Sequence, residues 1–341
     1  MKLPALLAAA CAVAAAPALA LAQPAFGSPA EASASAPITP AQRKALVARV
    51  IREVQKDYVF PEKVPAIVAA LRASERAGVY ALSDSNALAA RITEDLRRAS
   101  GDGHLYLRWS PEQFAGLGQG VREDESPDYW RAVAHRMHQG VTELRVLPGN
   151  VRYMKVSAFF WTEGGVTARV YDDAVRFLRD GEAIIIDLRG NGGGDALGVR
   201  YLASHFVEPG KLLITFVEAG KPPEESRAIA DLPSGRLTGK PLYVLIDRRC
   251  GSACEDFAYA VQQFRLGTLI GATTAGAANN NRLAPIAPGF VISVSNGLPV
   301  HPLSGGNWEG VGVAPDVAVD PAQALEEALT RARQKPSSPA R

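Results

Sequence analysis

The chain has 341 residues, a formal net charge of +2, 47% hydrophobic residues and 21% charged residues. This balance gives no electrostatic reason to expect binding to nucleic acid. The length suits one large core with a smaller second domain, and three cysteines are too few for a disulfide scaffold.

Residues 1–22 are predicted to form a secretory signal peptide. Lys2 supplies the positive charge, an Ala- and Leu-rich run follows, and Ala20-Leu21-Ala22 fits a cleavage site. Pro4 and Pro17 interrupt the run, which makes it a poor membrane span. We therefore expect an exported, periplasmic or extracellular protein with no stable membrane insertion after cleavage.

The mature chain is predicted to begin with a flexible linker over residues 23–38, which are rich in Ala, Ser and Pro. Thr39 before Pro40 is typical of a helix start, and three helical patterns indicate an N-terminal helical domain over residues 39–100. A catalytic core over residues 101–335 and a tail over residues 336–341 complete the predicted organisation.

Strand-like and helical patterns alternate through the core, which predicts an α/β fold. A helix predicted to begin at Ser126-Pro127 carries His135 and His138. No cysteine or carboxylate stands at a useful spacing from this pair, so the sequence predicts no metal site.

A buried strand pattern at Ala183–Arg189 runs into the glycine-rich turn Gly190–Asp195. This turn lacks both the third glycine of the dinucleotide fingerprint and the Gly-Lys-Ser/Thr of a phosphate loop, so no nucleotide cofactor is predicted. Bare glycine backbone can instead approach a substrate closely and donate N–H groups to an oxyanion.

A second buried strand pattern, Pro241–Asp247, is followed by Cys250–Phe257. Ser252 therefore falls where a strand turns into a helix, beside N–H groups that have no partner inside the helix. Its hydroxyl could attack a carbonyl while those groups hold the oxyanion. Ser252 and Glu255 also fit a capping box that merely starts the helix, and the octapeptide alone leaves both interpretations open.

Further along, a strand is predicted at 268–271 and a hairpin from residues 290–294 and 298–300. A glycine-rich loop at 306–316 precedes a final helix capped by Asp320-Pro321.

Cys250 and Cys254 flank Ser252 at a spacing of one helical turn. Ideal helical positions at this spacing hold their Cβ atoms roughly 5–6 Å apart, whereas a disulfide needs about 3.5–4.5 Å. We therefore expect free thiols, although this argument weakens if Cys250 precedes the helix.

Four segments resemble one family in the order in which that family has them. They are Asp102-Gly103-His104-Leu105, Ile186–Gly194, Gly251-Ser252-Ala253-Cys254-Glu255 and Asn307–Asp316. Together they resemble the tail-specific, or C-terminal processing, serine peptidases, in the branch similar to tricorn protease and to the repeats of interphotoreceptor retinoid-binding protein. The resemblance covers nearly the whole predicted mature chain.

The resemblance implies a β-β-α spiral core similar to crotonase and Clp protease, preceded by a helical domain. It implies a protein or peptide substrate and no cofactor. Matched motif by motif, the resemblance implies that Ser252 is the nucleophile, His104 the general base and Glu309 the orienting acid. It also implies that Gly193 (or its neighbour Gly194) and Ala253 supply the two backbone oxyanion donors.

Two departures from the family pattern are informative. The processing-protease branch pairs its serine with a lysine, and the matching position here is Ala277. A Ser-Lys mechanism is therefore excluded in its usual form, and a Ser-His-Glu arrangement remains. The segment between His104 and Val151 is also too short for a PDZ insert.

The sequence therefore predicts an exported serine endopeptidase. A non-catalytic carrier of apolar ligands on the same fold is the alternative, and an interaction protein that keeps only the fold is a third option. Retention of serine, histidine and glutamate together favours the enzyme. The carboxylates available to orient the histidine are Asp102, Asp187, Asp195, Glu255 and Glu309, and the family match favours the last.

Overall fold

A computed structural model describes residues 34–119, 127–218 and 220–334. The predicted signal peptide, residues 23–33 of the predicted linker and the predicted tail lie outside these ranges. Within them, no helix has both the length and the apolar character needed to cross a membrane.

Three helices open the described chain: α1 (Pro40–Asp57), α2 (Val64–Arg76) and α3 (Ser85–Ser100). The predicted start of α1 is confirmed, because the Thr39 hydroxyl accepts the N–H of Gln42 and the Gln42 side chain accepts the N–H of Thr39. The second and third helical patterns start near Pro61 and Ser83 in the sequence, and the helices themselves begin at Val64 and Ser85.

The remaining helices and strands follow in chain order. They are β1 (Tyr106–Trp109), α4 (Pro111–Gln119), α5 (Pro127–Arg136), β2 (Val141–Leu147), β3 (Val151–Val156), α6 (Val166–Arg179), β4 (Ala183–Asp187), α7 (Ala196–Ser204), β5 (Leu212–Glu218), β6 (Glu224–Arg227), β7 (Leu242–Ile246), α8 (Ala253–Gln263), β8 (Thr268–Gly271), β9 (Asn280–Ala287), β10 (Phe290–Val300), β11 (Val317–Ala318) and α9 (Ala324–Arg333).

Six strands form a mostly parallel sheet in the order β11-β8-β7-β4-β3-β2, in which only β2 is antiparallel to its neighbour. Successive side chains of a strand point to opposite faces. Ile184 and Ile186 accordingly pack with α6, α7 and α8, whereas Ile185 packs with α9. Each such buried side chain contributes roughly 1.5–3 kcal/mol to folding, and the alternation fixes the register of β4.

The carboxyl ends of β4 and β7 lie side by side in this sheet, since Asp187 pairs with Leu245. The glycine turn after β4 and the serine turn after β7 therefore emerge at the same edge. This topology confirms the two strand-to-helix transitions predicted from the sequence.

A second sheet is antiparallel and is centred on β10, which pairs with β9 along one edge and with β1 and β5 along the other. The predicted hairpin within 290–300 is wrong, because these residues form one continuous strand and the hairpin partner is β9. Apolar side chains of α1, α2 and α3 pack with those of β1, β9 and β10 in one core. His104, just before β1, is held there by the Ser293 hydroxyl, which donates to its carbonyl oxygen at 2.6 Å.

Cys250 and Cys254 form a disulfide, so the expectation of free thiols is wrong. The helical spacing argument fails because α8 begins only at Ala253 and Cys250 lies in the preceding turn. Its Cα atom lies 5.4 Å from that of Cys254, within the range that a disulfide spans. Both cysteines are fully buried, and their bond closes a short ring around Ser252.

Peptide mapping of the unreduced protein by mass spectrometry should recover Cys250 and Cys254 as one cross-linked species. Reduction and alkylation with iodoacetamide before digestion should replace that species by a form with two alkylated cysteines. Recovery of both cysteines as alkylated thiols from the unreduced protein would contradict the bond.

The loop 301–312, which carries Glu309, is fastened to α8 through His301. The His301 ring is buried and packs against Phe264 and Tyr259 at centroid distances of 4.6 Å and 5.4 Å. Its Nδ1 accepts the N–H of Leu303 at 3.3 Å. Burial, together with the positive charge of Lys211, lowers the pKa of His301 to about 4.

The buried His301 should make the protein less stable in acid. An unfolded histidine takes up its proton near pH ~6.5, so stability should be complete above that pH and fall as the pH drops towards the folded-state pKa of about 4. Urea unfolding at about pH 7 and about pH 4.5 measures how much the free energy of unfolding decreases between the two pH values. This decrease should be smaller in His301→Asn than in wild type by about 2 kcal/mol.

The matched control for this measurement is His135→Asn, a change on an exposed part of α5. It should keep the wild-type dependence of unfolding free energy on pH. If His301→Asn keeps that dependence as well, the buried imidazole does not cause the loss.

Candidate active site

Ser252 lies at the turn between β7 and α8, in the position that caps the helix. Its backbone has φ 52° and ψ −121°, a region that residues other than glycine rarely adopt and that stores roughly 1–3 kcal/mol of strain. Such strain is typical of functional sites, where the surrounding structure holds it in place. The side chain of Ser252 is partly exposed, whereas the next three residues are buried.

The glycine turn after β4 packs directly against the serine turn. A Cβ atom on Gly193 would lie 2.8 Å from the carbonyl oxygen of Gly251 and 2.9 Å from the Cβ of Ser252. A Cβ atom on Gly194 would lie 1.9 Å from the carbonyl oxygen of Phe159. Only glycine fits at either position, because the turn packs against backbone of the serine turn and of Phe159.

The amides beside Ser252 differ in what they bind. The N–H of Gly193 donates to Oδ1 of Asn191 at 2.8 Å, and the fully buried Asn191 is held in turn by its own bond to the carbonyl oxygen of Val156. Within the described residues, the N–H groups of Gly194 and Ala253 have no protein acceptor. The two amides beside Ser252 that lack an acceptor are therefore those of Gly194 and Ala253, and the amide of Gly193 is not one of them.

His104 lies beside Glu309, with 3.9 Å between its Nδ1 and Oε2 of the glutamate. This distance is longer than a hydrogen bond, and the buried Nδ1 has no hydrogen-bond partner. No hydrogen bond joins His104 to Ser252 in the part of the chain that the structure describes. Such contacts are often long without substrate and tighten when it binds.

Glu309 is fixed by backbone amides from two other parts of the chain. Its Oε1 accepts the N–H of Gly103 at 3.1 Å, and its Oε2 accepts those of Ala278 and Asn279 at 2.7 Å and 2.9 Å. Burial alone would raise the pKa of Glu309, but His104 and these amides hold that pKa below its ordinary value. Glu309 is therefore an oriented carboxylate rather than a solvated loop acid.

Glu255 is fully buried and accepts hydrogen bonds from both sides of the serine turn. Its Oε2 accepts the N–H groups of Ser252 at 3.0 Å and Ala277 at 2.8 Å, and its Oε1 accepts that of Gly276 at 2.6 Å and the hydroxyl of Thr274. Burial raises its pKa, against the opposite effect of these bonds. Glu255 thus positions the serine turn, and none of its hydrogen bonds within the described ranges goes to His104.

Four consecutive N–H groups, those of residues 276–279, are shared between these two acids. Glu255 takes the first two and Glu309 takes the last two. We call residues 276–279 the bridging segment. It connects the turn that carries Ser252 to the carboxylate beside His104.

The other candidate acids have structural partners. Asp102 accepts the N–H of His104 at 2.8 Å, as expected for an aspartate in a tight turn. Asp187 pairs with its near neighbour Arg189 at 2.6 Å. Asp195 caps α7 by accepting the N–H of Leu197.

Asp102, His104 and Glu309 each offer one possible ligand atom, and these three atoms lie within 4.8 Å of one another. They are therefore close enough to share a metal ion. The Glu309 oxygens, however, already accept three backbone N–H groups, and Asp102 accepts that of His104. These bonds orient the two carboxylates towards backbone N–H groups. We therefore interpret the cluster as a hydrogen-bonded network that positions these side chains.

Sequence reasoning missed the roles of Asn191, Thr274 and the bridging segment. Asn191 stood in the glycine turn, where an asparagine among glycines is a signal for a side chain that bonds local backbone. Thr274 and residues 276–279 carried no local signal, because their partners lie 19 to 31 residues away in sequence.

Comparison with known proteins matches the chain over ranges that contain the four segments named in the sequence analysis. Residues 150–319 match peptidase family S41, and residues 37–139 match the N-terminal domain of peptidase S41 in eukaryotic IRBP. The carboxy-terminal-processing protease of Bartonella bacilliformis is 26% identical over 182 residues, which are 50% of this chain and 39% of that protein. The tail-specific protease of Haemophilus influenzae is 31% identical over 128 residues, 37% of this chain and 17% of that protein. The chain thus spans less than half the length of these curated relatives.

A peptidase structure from Parabacteroides merdae has a similar fold, with a TM-score of 0.63 and 18% identity over 88% of this chain and 99% of that one. The photosystem II D1 C-terminal processing protease follows with a TM-score of 0.51 and 16% identity over 83% of this chain and 94% of that one. At these identities the likeness concerns the fold alone. Since the two sequence matches together run through the helical domain and the core, the chain belongs to peptidase family S41.

Proposed function

We propose that the protein is a serine endopeptidase in which Ser252 is the nucleophile, His104 the general base and Glu309 the orienting acid. The observation that carries the proposal is the strained serine turn with two unpaired amides beside it, those of Gly194 and Ala253. A hydroxyl next to N–H donors that have no internal acceptor is the arrangement that acyl transfer requires.

In the first half of the reaction, Oγ of Ser252 attacks the carbonyl carbon of the scissile peptide bond while His104 takes the hydroxyl proton. The carbonyl oxygen becomes negatively charged and is stabilised by the N–H groups of Gly194 and Ala253. Glu309 stabilises the imidazolium. The tetrahedral intermediate then collapses, and His104 gives the proton to the leaving amine.

In the second half, a water molecule attacks the acyl ester on Ser252. His104 accepts a proton from that water, and the same amides stabilise the second oxyanion. Collapse of this intermediate releases the new carboxyl terminus, and the proton returns to the serine oxygen.

The environment of Ala277 supports a histidine base. Ala277 stands where the processing-protease branch has its lysine, and its N–H donates to Glu255 at 2.8 Å. This position thus offers a methyl group and a paired amide, and neither can accept a proton from Ser252. His104 is left as the basic group of the matched motifs.

The finer features of the prediction belong to the same proposal. We infer that residues 1–22 direct export, and that residues 39–100 form a helical domain before a crotonase-like spiral core over 101–335. The described residues between His104 and Val151 form β1, α4, α5 and β2, which supports the absence of a PDZ insert there. The substrates are proteins or peptides.

Replacement of the nucleophile gives the first test of this function. A fluorophosphonate should label the wild-type protein and leave Ser252→Ala unlabelled. The variant should stay folded, because Glu255 binds the backbone N–H of residue 252 rather than its hydroxyl. Thermal unfolding should place it within roughly 1 kcal/mol of wild type, the usual cost of a lost helix cap.

Two outcomes would contradict the nucleophile assignment. Equal labelling of both proteins would mean that another residue reacts. An unlabelled wild-type protein that binds a fatty acid or retinoid would favour the apolar-ligand carrier instead.

The orienting role of Glu309 gives a second test. Glu309→Gln should lower kcat by roughly 10²- to 10⁴-fold, because the histidine loses the charge that stabilises its protonated form. Turnover of a casein-derived peptide mixture, read together with thermal stability, measures the effect.

Asp102→Asn is the matched control, since its remaining side-chain oxygen can still accept the N–H of His104. This variant should keep most of its turnover. The opposite result would show that Glu309 is not the orienting acid. In that case turnover would collapse in Asp102→Asn and stay near normal in Glu309→Gln, with unchanged stability in both.

A further inference from the structure

One face of α8 reaches solvent along a narrow stripe. Ser252, Asp256, Tyr259, Gln262 and Gln263 are partly exposed, whereas Ala253 to Glu255, Phe257, Ala258, Ala260 and Val261 are buried. From Ser252 to Tyr259 the exposed positions follow at steps of four and three residues, the spacing that places side chains on one helix face. Asp256 therefore lies one helical turn from Ser252, on the same open face.

The loop 301–312 borders this stripe. The Tyr259 hydroxyl donates to Oγ of Ser304 at 2.9 Å, and the Tyr259 ring lies 5.3 Å from that of Trp308, the residue before Glu309. A chain that reaches Ser252 along the stripe would therefore pass between α8 and the loop that holds the orienting acid. Asp256 lies on that path, between Ser252 and Tyr259.

Asp256 differs from the other acids near the site because its carboxylate has no partner. Glu255 and Glu309 each accept several N–H groups, whereas no hydrogen bond or ion pair engages the Asp256 side chain within the described residues. Burial raises the pKa of Asp256 to about 7. Water still reaches the partly exposed side chain, so a ligand group can reach it as well.

We propose that Asp256 forms an anionic subsite that receives a lysine or arginine side chain of the substrate bound at Ser252. The inference rests on the proposed peptidase function and defines its substrate class as segments with a cationic residue near the scissile bond. Two residues one turn apart are separated by roughly 6 Å along the helix, a distance that a lysine or arginine side chain spans.

The energetics favour a cation over a neutral side chain. A carboxylate that has lost part of its hydration and has no internal partner gains more from a bound cation than a solvated one does. An acid near a helix start also interacts with the helix dipole. That structural role would alter thermal stability but not the choice between peptides.

Peptide binding to Ser252→Ala tests the subsite without any turnover. A short fluorescent peptide with lysine at one position is compared with its norleucine partner by fluorescence anisotropy, and the position is scanned along the peptide. At one position, lysine should bind at least roughly tenfold tighter than norleucine. The preference should vanish in Ser252→Ala with Asp256→Asn and return with Asp256→Glu. With Asp256→Lys, a glutamate peptide should bind better than the lysine peptide.

Asp173→Asn in the Ser252→Ala protein is the control, because Asp173 is an exposed acid on α6 paired with Arg176. It should keep the full lysine preference. Equal binding of the two peptides, no measurable binding of the lysine peptide at any position, or a preference that survives both Asp256→Asn and Asp256→Lys would overturn the proposal. Fluorophosphonate labelling of the wild-type protein reports the peptidase function separately, so failure of one inference is distinguishable from failure of the other.

Discussion

A buried carboxylate, Glu255, and a partly buried one, Glu309, divide the amides of the bridging segment between them, and the geometry of the site depends on this division. Glu255 grips the serine turn as well as residues 276 and 277, while Glu309 grips residues 278 and 279 as well as Gly103. Charge-assisted bonds of this kind offset the cost of burying an acid. Because both acids hold one short stretch of backbone, neither the turn that carries Ser252 nor the carboxylate beside His104 can shift without straining the other.

Where a local signal existed, the sequence was a reliable guide to the fold. Thr39 and Pro40 mark the start of α1 because capping and proline geometry act within one turn. The junction at Ser252 was predictable since a buried strand, a small turn and a helical repeat follow one another there.

The sequence-based predictions failed where the structure depends on contacts between distant residues or on the exact start of an element. The interval inside β10 was misread as a turn, although Gly297 is paired on both sides, with Glu218 and Asn280. The cysteine argument assumed a helix that begins three residues too early. The sequence left Gly193 and Gly194 open as oxyanion donors, and the structure distinguishes their amides by a single bond, in which Asn191 accepts the N–H of Gly193. Neither composition nor spacing reports which of two adjacent amides an asparagine will occupy.

The position of β10 has a consequence for the newly made chain. His104 is placed by Ser293, 189 residues further along, and Glu309 meets Gly103 across 206 residues. Contacts so remote in sequence form late in folding, since the closure of long loops must come first. In a chain that has not yet docked β10, His104 and Glu309 therefore lack the contacts that place them. The site is complete only once both of these long-range contacts have formed, late in the folding of the chain.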